Sequence, residues 1–275
     1  MLLYRRLLLA ATILAFGVIS LGAYVRLSDA GLGCPDWPGC YGHWLGVPDQ
    51  EHEQLAASQA YPERPVETAK AWKEMVHRYF AGTLGLLILG IFLYAWRAES
   101  RRARSPTLPT LLLCIVALQA ALGMWTVTLL LKPMIVTLHL LGGMTTLALL
   151  LTLLLREVRP AFPQFSGEWL RPLAALALIL VICQIALGGW VSSNYAALAC
   201  PDFPRCQGQW RPSMEFAQAF TLHRELGQTG DGSLLSKEAL TAIHWSHRLG
   251  ALAVLLGIGA LALALLRSPW RGGHF

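Results

Sequence analysis

The chain has 275 residues, of which 55% are hydrophobic and only 14% are charged, and its formal net charge is +6. An ordinary soluble domain carries about 25% charged residues. This composition excludes a disordered chain, a collagen-like fibre and a small disulfide scaffold, and it argues against a water-soluble globule.

Long apolar runs without any charged side chain dominate the sequence, and they lie at 7–25, 79–96, 105–131, 133–155, 172–201 and 249–266. A helix needs about 20 apolar residues to cross a bilayer. None of the runs alternates with period two, as a membrane β-strand would. The sequence therefore predicts an all-α, polytopic membrane protein with six transmembrane helices.

The first run follows Arg5 and Arg6, an arrangement that also occurs in signal peptides. It is longer than the roughly 7–15 residues of a signal-peptide apolar region, and no small-residue cleavage motif follows it. We therefore predict a retained membrane helix that begins near residue 7.

Basic residues are unevenly distributed between the two sets of loops. Eleven Lys and Arg residues fall in the short segments 1–6, 97–104, 156–171 and 267–275. The positive-inside rule predicts that these segments and both termini are cytoplasmic. The long loops at roughly 26–76 and 202–243 are then predicted on the outer side of a bacterial inner membrane. Because the positive charge is spread thinly over short segments, we expect no nucleic-acid partner.

Four cysteines form two pairs with the same spacing in the predicted outer loops, Cys34 with Cys40 and Cys200 with Cys206. An oxidising compartment favours disulfides there. A structural zinc site is the alternative, although its cysteine pairs usually have two to four intervening residues.

These pairs belong to an internal repeat. The segment LGAYVRLSDAGLGCPDWPGC at 21–40 aligns without gaps to LGGWVSSNYAALACPDFPRC at 187–206, with ten of 20 positions identical. A duplicated helical unit explains this alignment. We predict a four-helix first unit at 1–160 and an incomplete second unit with two helices at 161–275. A complete second copy would need roughly 60 further residues, so either this chain is shortened or the second unit has lost its end.

Two histidines lie in or beside apolar runs. Helix two is predicted to start outside near residue 76, with His77 at its outer end, and His139 is predicted about two turns into helix four. Ionisable residues inside membrane spans are costly and usually functional. Two facing imidazoles can ligate a haem iron. A histidine that only hydrogen-bonds a neighbouring helix is the alternative.

Glu74 lies three residues before His77, on the same face of the predicted helix. A carboxylate beside a haem edge could move protons or stabilise positive charge on a substrate. Glu-x-x-His also occurs in di-iron bundles, but the repeat places His244 at the position of Glu74, so the second copy is absent. His247 occupies the position of His77, and its partner histidine would fall beyond the end of the chain. Arg78 and Arg248 follow the two histidines and are secondary candidates, together with His244.

The combined motifs resemble the haem A synthase family, whose members convert haem O to haem A. The resemblance rests on the repeat segments above and on EMVHRYFAGTLG, QAALGMWTV, TLHLLGG and AIHWSHRLGAL, which occur in order over most of residues 15–265. It implies two pseudo-symmetric four-helix bundles, eight helices in all, each holding a haem between two histidines.

The resemblance also implies roles for the residues. His77 and His139 would ligate the substrate haem O, Glu74 would be the essential acid, and His247 would ligate a haem b. The C8 methyl of haem O would be oxidised to a formyl group. Both cysteine pairs would be disulfides, as in bacterial members, with the first pair linked to haem transfer or activity. The expected partners are haem O, membrane lipid, a complex with haem O synthase, and a terminal oxidase as end user.

Two other functions stay open on the sequence alone. A b-type cytochrome subunit that only carries electrons would use the same histidines. A non-catalytic haem-binding assembly factor is the other alternative. Haem content discriminates, because an electron carrier would hold only haem b, whereas the enzyme should retain haem O, haem A or a hydroxylated intermediate.

Overall fold

A computed structural model describes residues 2–97, 105–158, 164–165, 167–268 and 270–271. Within these ranges, six helices are long and apolar enough to cross a membrane, which confirms the predicted all-α, multi-pass architecture. They are α1 (Leu2–Leu27), α3 (Thr68–Trp96), α4 (Thr107–Thr128), α5 (Pro133–Val158), α6 (Leu170–Ser193) and α8 (Lys237–Arg267).

Shorter elements lie between these helices and after the last of them. They are the helices α2 (Glu51–Ala60) and α7 (Phe216–Ala219), a 3-10 turn at Ala196–Leu198, and two-residue strands β1 (Gln164–Phe165) and β2 (Trp270–Arg271), which pair antiparallel.

The chain divides into two compact units. The first comprises Met1–Leu131 with Leu138–Arg159, and the second comprises Lys132–Thr137 with Pro160–Phe275. In the first unit α1 packs on α3 and α3 packs on α4. Its main core is a column of buried apolar side chains, including Leu8, Ile88, Leu112 and Leu150. In the second unit α6 packs on α8, and Trp190 and Ile243 lie in the core.

Two helices begin well before the apolar runs that predicted them. Helix α3, predicted from about residue 76, begins at Thr68, and α8 begins at Lys237 although its charge-free run begins at 249. The side chain of Ser236 accepts a hydrogen bond from the amide of Ala239 (3.1 Å) and so caps α8. Each helix therefore carries polar side chains in its first turns, and these turns build the candidate site.

Candidate functional site

The first disulfide closes a short loop between α1 and α2. Cys34 and Cys40 are bonded, with their Cα atoms 4.8 Å apart. The Asp36 carboxylate accepts hydrogen bonds from the amides of Tyr41 (2.6 Å) and Gly42 (2.8 Å), which fixes the turn that follows. The Tyr41 hydroxyl donates to the Pro65 carbonyl (3.0 Å), and burial raises the pKa of this hydroxyl.

The second disulfide loop repeats this construction. Cys200 and Cys206 are bonded, with their Cα atoms 4.6 Å apart. The Asp202 carboxylate accepts from the amides of Gln207 (2.6 Å) and Gly208 (2.9 Å). The Gly208 amide, followed by the Gln207 amide, lowers the pKa of Asp202. Both predicted disulfides are therefore present, and these four thiols are not available as zinc ligands.

Arg78 connects α3 to the first disulfide loop. Its Nη1 donates to the carbonyls of Asp36 (3.0 Å), Pro38 (3.2 Å) and Gly39, and its Nη2 pairs with the Glu74 carboxylate. A single guanidinium therefore serves three loop carbonyls and one buried acid.

Glu74 is also bonded to the loop directly. Its second carboxylate oxygen accepts the amide N–H of Cys34 (3.0 Å), and the residue is 5% exposed. The acid singled out from the sequence is thus clamped between Arg78 and a disulfide cysteine. A carboxylate that accepts from a guanidinium and an amide is held in one orientation.

His244 and Arg248 occupy the corresponding positions in the second unit. The Cys200 amide nitrogen lies 3.2 Å from His244 Nδ1, and Arg248 Nε lies 3.2 Å from His244 Nε2. A neutral imidazole accepts a hydrogen bond at only one of these two nitrogens. Arg248 also donates to the carbonyls of Cys200 (2.8 Å), Asp202 (2.7 Å) and Arg205 (2.9 Å). The two units share one scaffold, with an acid in the first where the second has an imidazole.

His77 and His139 lie in the first unit, each against a glycine on another helix. A Cβ atom added to Gly22 would lie 3.0 Å from His77 Cε1, and one added to Gly123 would lie 3.4 Å from His139 Cε1. His77 is nine residues from the start of α3, or about 13 Å along its axis.

One ring nitrogen of each imidazole is available to a ligand. His77 Nδ1 and His139 Nδ1 are both buried and have no hydrogen-bond partner within the described residues. A buried polar atom is normally satisfied, and imidazole nitrogen is a common haem-iron donor. These residues therefore fit a bis-histidine haem. Within the ranges described, no cluster of three or more His, Cys, Asp or Glu side chains is placed to hold a metal ion.

His247 in the second unit packs in the same way. A Cβ atom added to Gly188 would lie 3.3 Å from His247 Cε1, and Gly188 is the repeat counterpart of Gly22. The Gln184 side-chain amide lies 3.1 Å from His247 Nδ1. In the described part of the chain, this glutamine, and no second imidazole, is the hydrogen-bonding partner of the ring.

Two glutamines were missed by the sequence reasoning. Gln119 Nε2 donates to the His139 carbonyl (2.9 Å), and Gln184 Nε2 donates to the His247 carbonyl (3.1 Å). The Gln119 side chain fills the space beside Gly142. The signal was present in the sequence, because QAALGMW at 119–125 and QIALGGW at 184–190 share their glutamine, glycine and tryptophan.

The chain is similar in sequence to known proteins. Residues 5–274 match the family model COX15-CtaA, described as cytochrome oxidase assembly protein. A Shewanella oneidensis protein named "Heme A synthase" is 47% identical over 238 residues, covering 86% of this chain and 71% of that protein. Proteins of the same name are 28% identical in Halalkalibacterium halodurans, covering 90% of this chain and 78% of the relative, and 25% identical in Geobacillus kaustophilus, covering 94% and 70%.

Proposed function

Because the chain belongs to the COX15-CtaA family of cytochrome oxidase assembly proteins, we propose that it is a membrane oxidoreductase that converts haem O to haem A. The haem A formed is used in cytochrome oxidase assembly. The methyl group at C8 of haem O is the carbon that is oxidised, and it becomes a formyl group.

The observation that carries this proposal is the pair of imidazoles in the first unit. His77 and His139 each present a buried, unpartnered nitrogen, and each imidazole packs against a glycine of another helix. We assign these two residues as the axial ligands of the substrate haem. Two neutral imidazoles are suited to bind a flat porphyrin between them.

Glu74 is the proposed acid of the reaction. It lies one helical turn before His77, and Arg78 and the Cys34 amide hold its carboxylate in place. A carboxylate so fixed can stabilise positive charge that develops on the substrate, or receive a proton released from the oxidised carbon. The disulfide loop therefore helps to hold the Glu74 carboxylate in place.

The second unit is proposed to hold a haem b, with His247 as one axial ligand. A haem bound there would supply electron transfer. Gln184 orients His247 through its backbone carbonyl and its ring nitrogen. His244 stands where the first unit has its acid, so this scaffold supports cofactor binding without a carboxylate.

The proposed topology places both disulfide loops on the outer side of a bacterial inner membrane and the termini in the cytoplasm. This orientation is supported by the arginine-rich segments of the opposite side and by the disulfides themselves. A complex with haem O synthase is the proposed source of substrate, since haem O is poorly soluble in water.

The test is the haem content of the purified protein. The chain is expressed in a host that makes haem O but has no enzyme of its own for haem A, and extracted haems are separated chromatographically. Haem A or a hydroxylated haem O is expected from the wild type and from neither His77→Ala nor His139→Ala. A preparation that contains only haem b would favour the electron-carrying b-type cytochrome, and one that binds haem O without oxidising it would favour an assembly factor.

A further inference from the structure

Both disulfide loops carry large apolar side chains on their surface. Trp44 and Leu45 follow the first disulfide and are 78% and 80% exposed. In the second loop Phe203 is 84% exposed, and Trp210, the repeat counterpart of Trp44, is 60% exposed. Exposed apolar side chains that are grouped together mark a surface that contacts a partner or a membrane. The tryptophan recurs at the same position in both units, which indicates a shared environment.

The first loop lies alongside α3 rather than beyond its end. The Gly46 amide, one residue after Leu45, donates to the Tyr79 hydroxyl (2.7 Å). Tyr79 is eleven residues into α3, and helical side chains point back towards the N-terminus of their helix. Trp44 and Leu45 therefore lie about 10 Å below the first residue of α3. Below this level no Asp, Glu, Lys or Arg occurs from residue 79 to 96.

The second loop lies at the same level of α8. Arg248 binds the carbonyls on either side of Phe203, and its guanidinium lies 5.8 Å from the centre of that ring. Residues 249–266 of α8 contain no charged residue. Phe203 is thus exposed at the level of α8 where the polar first turns end and the charge-free segment begins.

The loop backbone is adapted to this depth. An irregular segment near lipid cannot rely on water to satisfy its carbonyl groups, and each unsatisfied group is costly. Arg78 serves three carbonyls of the first loop, and Arg248 serves three of the second. The two arginines thus supply hydrogen bonds that water supplies to an ordinary surface loop.

We propose that the two disulfide loops rest in the membrane–water interface, with Trp44, Leu45, Phe203 and Trp210 in contact with lipid at the boundary between headgroups and acyl chains. Tryptophan is enriched at this boundary, because its ring is apolar and its N–H is polar. The contact continues the lipid-facing surface of α3 and α8 and fixes the loops at the depth of the candidate haem ligands.

Site-directed spin labelling of the full chain tests this placement. Cys114 and Cys183, the two unpaired cysteines, are exposed and are replaced by Ala, while both disulfides are kept. A nitroxide is attached to Leu45→Cys or Trp210→Cys in nanodiscs of phosphatidylcholine and phosphatidylglycerol. Ser58→Cys, on exposed α2, is the water reference, and Leu86→Cys, exposed midway along α3, is the lipid reference.

The measurement is the ratio of collisions with oxygen, which concentrates in lipid, to collisions with a water-soluble nickel chelate. At both loop positions the ratio is expected to exceed that at Ser58 several-fold and to fall below that at Leu86. Ratios equal to the Ser58 value would show loops in water and would overturn the proposal. Low collision rates with both reagents would also overturn it, since they would show that protein covers these side chains.

Discussion

Replacing Glu74 by Gln separates its chemical role from its structural role. The structure shows that the carboxylate accepts the Cys34 amide and pairs with Arg78, whose side chain is 12% exposed against 6% for Glu74. Glu74→Ala would remove the proposed acid and should leave haem bound. It would also leave the Arg78 guanidinium without its carboxylate partner, at a cost of about 3–5 kcal/mol.

Glu74→Gln keeps the shape of the side chain, and its one amide oxygen can accept from either the Cys34 amide or Arg78. Hydrogen bonds to a charged group contribute about 1.5–3 kcal/mol, and neutral ones about 0.5–1.5 kcal/mol. The expected loss in the free energy of unfolding is therefore about 1–2 kcal/mol, smaller than for Ala. Haem O should stay bound at the wild-type ratio, while its oxidation should be abolished because the charge and the proton acceptor are gone.

The assay combines three measurements on each variant: haem retained per protein, haem A formed in the host, and the free energy of unfolding in a detergent titration. Full haem oxidation by Glu74→Gln would refute the assignment of a charged acid. Loss of bound haem from Glu74→Gln, at near wild-type stability, would instead show that the residue holds the substrate. Glu74→Asp is the matched control, because it keeps the charge while withdrawing the carboxylate from the Cys34 amide.

Three further outcomes are expected. Gly22→Val should displace the His77 imidazole and lower the haem content. Gly17→Val, on the same helix, should leave the haem content unchanged, because an added Cβ there has no atom within 4 Å. Equal haem contents in the two variants would count against the contact between Gly22 and His77. Gln119→Leu removes one hydrogen bond of about 1 kcal/mol, so haem binding measured by titration should weaken roughly fivefold, and an unchanged affinity would contradict its positioning role. Replacing Cys34 and Cys40 together by Ser opens a loop of sequence separation six and should lower the free energy of unfolding by about 2 kcal/mol. An unchanged free energy of unfolding in a detergent titration would show that Arg78 alone holds the loop.

Much of the fold was predictable from the sequence, but the helix starts were not. Charge-free runs identify membrane helices because a backbone in lipid must satisfy its own hydrogen bonds. The run that begins at residue 79 gave no sign that α3 begins at Thr68. The first turns of α3 contain Lys70, Glu74 and Arg78. In the folded chain the disulfide loop binds Glu74 and Arg78, and Glu67 pairs with Lys70.

The candidate site was only partly predictable. Sequence order and repeat spacing pointed to the two disulfides, Glu74 and the three histidines, whose roles as ligands and acid stay predictions. Gln119 and Gln184 were missed although their motif occurs twice, because the sequence does not show which backbone carbonyl a glutamine contacts. Arg78 and Arg248 were noted only as secondary candidates, although they hold both loops.

The sequence by itself determined the membrane architecture and the repeat and favoured the two disulfides, because these features depend on composition, on self-similarity or on residues close together in the chain. Only the tertiary structure decided that Glu74 is bound to a disulfide cysteine, and that glycines of one helix face the imidazoles of another. Such contacts join residues that are far apart in the chain. They depend on how each helix is rotated about its axis and where it crosses its neighbour, and side-chain packing sets both.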